Sequence, residues 1–313
     1  MPLPRIIADT PLDSTVGGLL AGHVEILPWS AATEAVAGQV EGLYTYGHPL
    51  VDAPFLDRLP RLGIISNYGV GVDHIRLAAA KERGIPVGNT PGILDGATAD
   101  MGMALLLAAA RRLTEGDRYA RSPSFTRYDP GYMLGREVHS STLGIIGMGR
   151  VGKQVAKRAR AFEMNLLYHN RRRNAEAEVE LGARYVAFEE ILSQSDFVML
   201  CCPLTDETRG LIGHAAFARM KPTAILVNIA RGPVVDTAAL TEALQTRRIY
   251  AAALDVTDPE PLPRDHPLLA LDNVTIAPHL GSATEQTRRK MAEISVENLL
   301  RGLRGEELLH RVV

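Results

Sequence analysis

The sequence predicts an α/β protein made of two doubly wound, parallel-sheet lobes, and three observations support that class. Short β-branched runs alternate with helix-length amphipathic segments along almost all of the 313 residues. Such alternation marks parallel sheets covered by helices on both faces. The length itself suffices for two domains of ordinary size, each with its own buried core. The alternation also pauses once, near residues 97–141, and then resumes, which separates two halves.

Taken in order, RIIAD, VEILPW, GLYTY, LGIIS and PVGN read as strands in the first hundred residues. AATEAVAGQV and DHIRLAAAKERG between them read as helices. ATADMGMALLLAAARRLTEGDRYAR is the longest helical candidate, suited to an interdomain or subunit interface. The polar stretch SPSFTRYDPGYMLGREVHSS after it reads as an ordered loop. Strands resume at STLGIIG and continue through MNLLYH, FVMLCCP, AILVNIA, YAAALDV and NVTIAP. A last helix, about Thr284 to Leu303, precedes a short tail that can return to the first lobe. There are no internal repeats and no low-complexity tract.

Composition excludes several classes of function. Hydrophobic residues make up 46% and charged residues 22%, the balance of a soluble globular protein. A formal net charge of -2 gives no basis for binding nucleic acid or an anionic membrane. No apolar run approaches the ~20 residues of a membrane helix. The N-terminal MPLPRIIADT lacks a secretory pattern. The adjacent Cys201 and Cys202 point to opposite faces if they lie on a strand, so they read as apolar fillers, not as a disulfide or metal pair. A reducing cytoplasm is the expected location.

GIIGMGRVGKQVAKRARAF places Gly147, Gly149 and Gly152 in the spacing G-x-G-x-x-G. An apolar strand precedes it, and Val151, Val155 and Ala159 share one face of the helix that follows. In that context the first glycine makes a tight turn. The second admits a pyrophosphate, and the third lets helix and strand pack closely. The helix N-terminus adds unpaired N–H groups and a positive dipole end. The stretch is therefore read as a dinucleotide site. Its second strand ends in LLYHNRRR, where NAD-binding versions carry an acid for the ribose hydroxyls. Here Asn170 replaces the acid, so nothing repels a 2′-phosphate, and Arg171 offers planar donors to it. NADPH is the expected cofactor and NADH a weaker one. Arg171 is the primary contact, Arg172 a second, and Arg173 a solvated neighbour.

Three later segments each place a polar residue just after an apolar strand: Arg231 in VNIARGPVVD, Asp255 and Glu260 in DVTDPEPLP, and His279 in VTIAPHLGSAT. Strand C-termini line the ligand crevice of a doubly wound sheet, so these residues can converge. Together they suit a 2-oxo acid. Arg231 binds the carboxylate, His279 exchanges a proton with the carbonyl oxygen, and Glu260 orients and charges the His. Singly, each has an ordinary structural reading, and spacing alone leaves the choice open.

Six segments together, SNYGVGVDHI, GIIGMGRVG, CCPLTDETRGLI, VNIARGPVVD, LDVTDPEPLPRDHPLL and APHLGSAT, resemble the D-isomer-specific 2-hydroxyacid dehydrogenases over nearly the whole chain. Within that family, DVTDPEPLP with HLGSAT is most similar to the glyoxylate/hydroxypyruvate reductases, which favour NADPH. The resemblance implies a catalytic trio of Arg231, Glu260 and His279. It implies substrate contacts from the Val70 and Gly71 amides, which can form an anion-holding nest, and from Arg231. Implied cofactor contacts are Thr98, Gly147, Gly149, Arg150, Val151, Gly152, Asn170, Arg171, Arg172, Pro203, Ala230, Asp255, His279 and Gly281. Asp255 either holds the nicotinamide amide or supports His279.

The implied fold pairs a flavodoxin-like substrate-binding lobe, residues 1–97 with 287–313, with a Rossmann-type coenzyme lobe, residues 98–286. The active site lies in the cleft, and a homodimer forms through the coenzyme lobe. Tyr46, Tyr68 and the tyrosines between Phe125 and Tyr132 can line the pocket. The expected product is a D-2-hydroxy acid. Rivals with the same chemistry are a sugar-acid (2-ketogluconate-like) or hydroxyphenylpyruvate reductase. A formate dehydrogenase is disfavoured by Glu260 and a phosphoglycerate dehydrogenase by the arginines. A rival of another class is a corepressor-like module that senses dinucleotide, which turnover would exclude.

Overall fold

The computed structural model describes residues 2–9, 11–47 and 49–313. It divides into two compact units, Met1–Leu94 with Thr284–Val313, and Asp95–Ala283. Both junctions fall three residues before the sequence boundaries, 94 against 97 and 283 against 286. Elements set them there: one helix starts at Asp95, and another is capped by the Thr284 side chain.

Unit 1 begins with β1 (Arg5–Ala8), α1 (Ser14–Leu20), β2 (Glu25–Pro28), β3 (Val40–Thr45), α2 (Ala53–Leu56), β4 (Ile64–Asn67), α3 (Leu77–Glu82) and β5 (Val87–Gly88). Its five strands are all parallel, in the order β2-β1-β3-β4-β5. That is the flavodoxin-like order. The segment read as the helix AATEAVAGQV holds two short 3-10 turns instead, Trp29–Thr33 and Ala37–Gln39. Only the small Ala31, Ala32 and Ala37 are buried there, and Gly38 costs a helix roughly 1 kcal/mol against Ala.

Unit 2 contains α4 (Asp95–Ala110), α5 (Leu113–Ala120), β6 (Thr142–Ile146), α6 (Arg150–Ala161), β7 (Asn165–His169), α7 (Ala175–Leu181), β8 (Arg184–Tyr185), α8 (Phe188–Gln194), β9 (Phe197–Leu200), α9 (His214–Arg219), β10 (Ile225–Asn228), α10 (Thr237–Gln245), β11 (Ala251–Leu254) and β12 (Val274–Ile276). The chain then returns to unit 1 as α11 (Glu285–Leu303). The unit 2 sheet is parallel throughout, in the order β12-β11-β10-β9-β6-β7-β8. Strand order reverses between β6 and β9, the point at which such sheets bind ligands beyond their C-terminal edge.

Side chains alternate across that sheet. Ile145, Tyr168, Met199, Val227 and Ala253 face one core, and Ile146, Leu167, Val198, Leu226 and Ala252 face the other. Each large apolar side chain so buried contributes about 1.5–3 kcal/mol. Cys201 packs against the first core and Cys202 lies in the second, on opposite faces. Burial pushes the Cys202 thiol up to about 11, so it is a poor nucleophile.

The long helical candidate is two helices. α4 ends at Ala110, Arg112 takes a left-handed φ of 51°, and α5 begins at Leu113. Gly135 closes the break: a Cβ there would lie 2.3 Å from the Ala110 carbonyl oxygen, which accepts the Arg136 N–H at 2.7 Å. Met103, Leu106 and Ala109 of α4 are buried in the first core of unit 2, so the helix packs into its own unit. α11, with 19 residues, is the longest helix among the described residues. No helix among them is long and apolar enough to cross a membrane.

α11 packs on the unit 1 sheet through Val296 and Leu299, beside Ile6, Tyr44 and Ile64. Its approach is close enough that a Cβ on Gly302 would lie 2.5 Å from Ile64 Cγ1. The Tyr44 hydroxyl and Ser295 Oγ are hydrogen-bonded at 2.8 Å. The tail does return: the Val312 N–H donates to the Val87 carbonyl at 2.7 Å.

Candidate active site

Each glycine of the turn between β6 and α6 has its own steric reason. Gly147 has φ +103°, and a Cβ there would sit 2.5 Å from the Cys202 nitrogen. A Cβ on Gly152 would lie 2.2 Å from the Gly147 carbonyl oxygen and 3.3 Å from Ile145 Cγ2. Gly149, by contrast, meets nothing within 4 Å. It is the N-cap of α6, and no side chain caps the helix. The result is an open space above unclaimed helix N–H groups, which fits a dinucleotide pyrophosphate. Arg150 is exposed and Val151 half-buried in the first helical turn.

Asn170 and Asn174 hold the peptide groups of Met148 inside this turn. The Met148 N–H donates to Asn170 Oδ1 at 2.7 Å, and Asn174 Nδ2 donates to the Met148 carbonyl at 3.0 Å. Asn170 therefore shapes the turn as well as sparing it an acid. Arg171 and Arg172 are exposed and form no ion pair among the described residues. The Thr205 hydroxyl, with lesser help from Arg171, holds the Glu207 carboxyl below its ordinary value, which places Arg171 near that loop. Arg173 is exposed, as expected, but it is also paired. It grips Glu178 through two bonds, at 2.6 and 2.7 Å, and Glu178 also accepts the Tyr168 hydroxyl at 2.6 Å. Arg173 and Tyr168 hold the Glu178 carboxyl at about 2.

Beyond β10, β11 and β12 the polar residues gather within unit 2. His279 Nδ1 lies 2.7 Å from Glu260 Oε1. Burial alone would raise the Glu260 carboxyl. The His279 hydrogen bond and charge, the Thr257 N–H and Arg231 outweigh it and hold the group below its ordinary value. Arg231 is thus within electrostatic reach of the pair. Its backbone is set by Asn228, buried at the end of β10, which accepts the Ala230 N–H at 3.0 Å and donates to the Arg231 carbonyl at 3.0 Å. Gly232 next to it fits against the Thr257 carbonyl, where a Cβ would be 1.9 Å from the oxygen.

Asp255, 2% exposed, clamps the His279 loop. Its two carboxylate oxygens accept the Leu280 and Gly281 N–H groups, each at 2.7 Å, and its carbonyl accepts the His279 N–H at 2.9 Å. Burial pushes the Asp255 carboxyl up, against a smaller opposing pull from these amides and His279. The clamp holds His279 at φ 56°, a conformation uncommon for a non-glycine residue and several-fold enriched in His. Thr98 of α4 completes the floor, 3.3 Å from where a Gly281 Cβ would be. Pro203 lies exposed after β9, its carbonyl accepting the Thr208 hydroxyl at 2.7 Å, and Ala230 is buried beside Arg231. Sequence reading missed Asn228 and left Asp255 between two roles, of which the bonds described here match support of His279. Asn228 had a signal, as a polar residue closing an apolar strand.

In unit 1, the half-buried Val70 and Gly71 follow β4. Tyr46 and Tyr68 stack edge-to-face at 5.0 Å. The Tyr46 hydroxyl donates to Asp13, and that of Tyr68 to the Arg288 carbonyl. Tyr128 and Tyr132 belong to unit 2 and are exposed.

Comparison with known proteins gives a consistent picture. The family model "D-isomer specific 2-hydroxyacid dehydrogenase, NAD binding domain" matches residues 103–281. A glyoxylate reductase of Korarchaeum cryptofilum is 50% identical over 257 residues, covering 82% of this chain and 77% of the relative. One from Thermococcus kodakarensis is 45% identical over 314 residues, covering 97% and 94%. Among solved structures, the TT0316 protein of Thermus thermophilus aligns at a TM-score of 0.89 and 44% identity, covering 99% of this chain and 100% of that one. The NADPH-dependent glyoxylate/hydroxypyruvate reductase of Sinorhizobium meliloti, in complex with NADP and malonate, aligns at 0.90 and 30% identity, covering 99% and 97%.

Proposed function

Because the chain belongs to the D-isomer-specific 2-hydroxyacid dehydrogenases, we propose that it reduces a small 2-oxo acid, glyoxylate or hydroxypyruvate, to the D-2-hydroxy acid with NADPH. The observation that carries this reading is the 2.7 Å pairing of His279 with Glu260 within reach of Arg231. When bound, the nicotinamide supplies a hydride to the carbonyl carbon. His279 keeps Nδ1 on Glu260, which leaves Nε2 to deliver the proton to the carbonyl oxygen. Glu260, held ionised, accepts the Nδ1–H and so fixes the tautomer and direction of the ring. Arg231 meets the substrate carboxylate with planar paired donors. The Asp255 clamp keeps the imidazole in place.

The cofactor preference rests on Arg171 and Arg172, exposed and without ion pairs among the described residues, and on an uncharged Asn170. The NADP in the S. meliloti structure accords with it. The test is a panel of 2-oxo acids assayed with both cofactors. NADPH should exceed NADH in kcat/KM by about tenfold or more, the value of one charged hydrogen bond. Arg171→Ala should erase most of that margin by raising KM for NADPH. Equal efficiencies in the parent would remove the NADPH reading, and no turnover on any 2-oxo acid would remove the activity.

We also propose a homodimer through unit 2. Leu113, Phe125, Tyr128, Tyr132 and Leu134 are all exposed within one short stretch of that unit, and clustered apolar exposure of this kind marks an interaction surface. Light scattering reads the mass directly, and a monomer at micromolar concentration would refute it.

A further inference from the structure

We propose that Asn67 and Asn89 are positioning residues that turn the Gly69–Gly71 loop into a preset cradle for a small carboxylate. This rests on the 2-oxo acid reading above. Four consecutive carbonyls of the loop are all claimed from inside unit 1. The Tyr68 carbonyl accepts the Thr90 hydroxyl at 2.8 Å. Asn67 Nδ2 donates to the carbonyls of both Gly69 and Gly71, each at 2.9 Å, and Asn89 Nδ2 donates to that of Val70 at 2.9 Å. In a planar trans peptide the N–H points opposite to the C=O. Fixing these carbonyls inward therefore aims the next N–H groups, including those of Val70 and Gly71, outward together. Among the described residues no acceptor takes either N–H. Successive amides so directed bind anions.

The orientation of the Asn67 amide supports this. The residue is 1% exposed, and its Oδ1 is buried with no hydrogen-bond partner among the described residues. The reverse orientation would set that oxygen against two carbonyl oxygens. The position demands donors, and it leaves the acceptor unpaired to supply them. Asn89 is braced in turn: its carbonyl accepts Asn298 Nδ2 at 3.1 Å, and its N–H donates to the His310 carbonyl at 3.2 Å. Asn298 is fully buried on α11.

Asn67→Asp tests the idea, since it keeps the shape but sets acceptors against the loop carbonyls. Glyoxylate KM and the inhibition constant of oxamate, an unreactive carboxylate analogue, should each rise by about tenfold or more. The affinity for NADPH, whose turn is in unit 2, should stay within about twofold of the parent, by fluorescence titration. Asn89→Ala, which frees one carbonyl instead of two, should raise the oxamate constant by a smaller factor, and it carries the test should Asn67→Asp fail to fold. Unchanged oxamate inhibition in the folded variants overturns the cradle. So does a rise matched by an equal loss of NADPH affinity, which would mark a general structural defect. A parent that binds oxamate in this variant-sensitive way yet reduces no 2-oxo acid would keep the cradle and remove the reaction.

Discussion

Two glycine-bearing loops follow parallel strands in this chain, one in each unit, and they are held in shape by different physics. The Gly147–Gly152 turn is fixed chiefly by what glycine lacks, with Asn170 and Asn174 holding only Met148 inside it. Side chains at 147 and 152 would strike backbone at 2.5 and 2.2 Å, and a helix N-terminus supplies the field. The Gly69–Gly71 loop leads into no such helix, and neither Gly69 nor Gly71 takes a positive φ. Side-chain amides from two neighbouring strands hold it instead. A loop held by sterics is encoded at its own positions. One held by donors is encoded wherever the fold brings the donors.

The largest effect should come from breaking the steric loop. Gly147→Val adds a β-branched side chain at φ +103° onto the backbone of Cys201 and Cys202. Overpacking alone costs ~1–3 kcal/mol, so thermal unfolding should show a large drop in Tm and titration should show no NADPH binding. Gly149→Ala, facing open space, should keep the parental Tm while weakening NADPH. If the two variants behaved alike, the separate duties assigned to the two glycines would be wrong.

Next in size is a loop held by side-chain acceptors, that of His279. Asp255→Asn keeps the volume but presents a donor where one of the Leu280 and Gly281 amides needs an acceptor. Leaving a buried group unpaired costs ~1–3 kcal/mol. kcat for reduction should fall by about tenfold or more through a displaced His279. Parental kcat in stopped-flow turnover would show that the clamp does not matter to the reaction.

The smallest effect is a lost pH limb. The Glu260 carboxyl lies below its ordinary value of 4.5. Its charge is therefore present above that value, and it is lost only as pH falls through the lowered one. Across the neutral range the carboxylate stays ionised against His279 Nδ1, and the acid limb of kcat/KM for reduction should lie below pH 4.5. Glu260→Gln removes the titrating carboxyl, so that acid limb should disappear from the variant's profile. Profiles that superimpose, with chemistry rate-limiting, would separate Glu260 from the proton step.

The same contrast explains what was legible in the sequence. The glycine turn could be recognised because its three glycines stand in one fixed spacing, but the contact of Gly147 with Cys201 and Cys202 and the bonds of Asn170 and Asn174 to Met148 could not. The strands of both sheets could be read, apart from the two-residue β8 at a sheet edge, because burial leaves its apolar pattern in most of them. Asp255 could be placed but not assigned, since its partners Leu280 and Gly281 follow twenty-five residues later. Asn89 shows no signal at all until β4 and β5 are paired. The break between α4 and α5 was hidden too. It turns on a left-handed arginine and on Gly135 packing against Ala110, and neither alters the local helical pattern. The ion pair of the exposed Arg173 left no trace in the sequence because only the start of α7 brings Glu178 to it.

The return of the chain as α11 has a consequence for synthesis. The face of β1, β3 and β4 that packs against Val296 and Leu299 is translated long before its cover. The roughly 190 residues of unit 2 intervene, and at ~5–20 residues per second they occupy on the order of 10–40 s. During that interval unit 2 can begin to fold at the ribosome, while the nascent first sheet has this face covered only in part, by Val16 and Leu20 of α1. The segment from Thr284 onward therefore closes a unit begun before unit 2, and it brings Asn298 to brace Asn89.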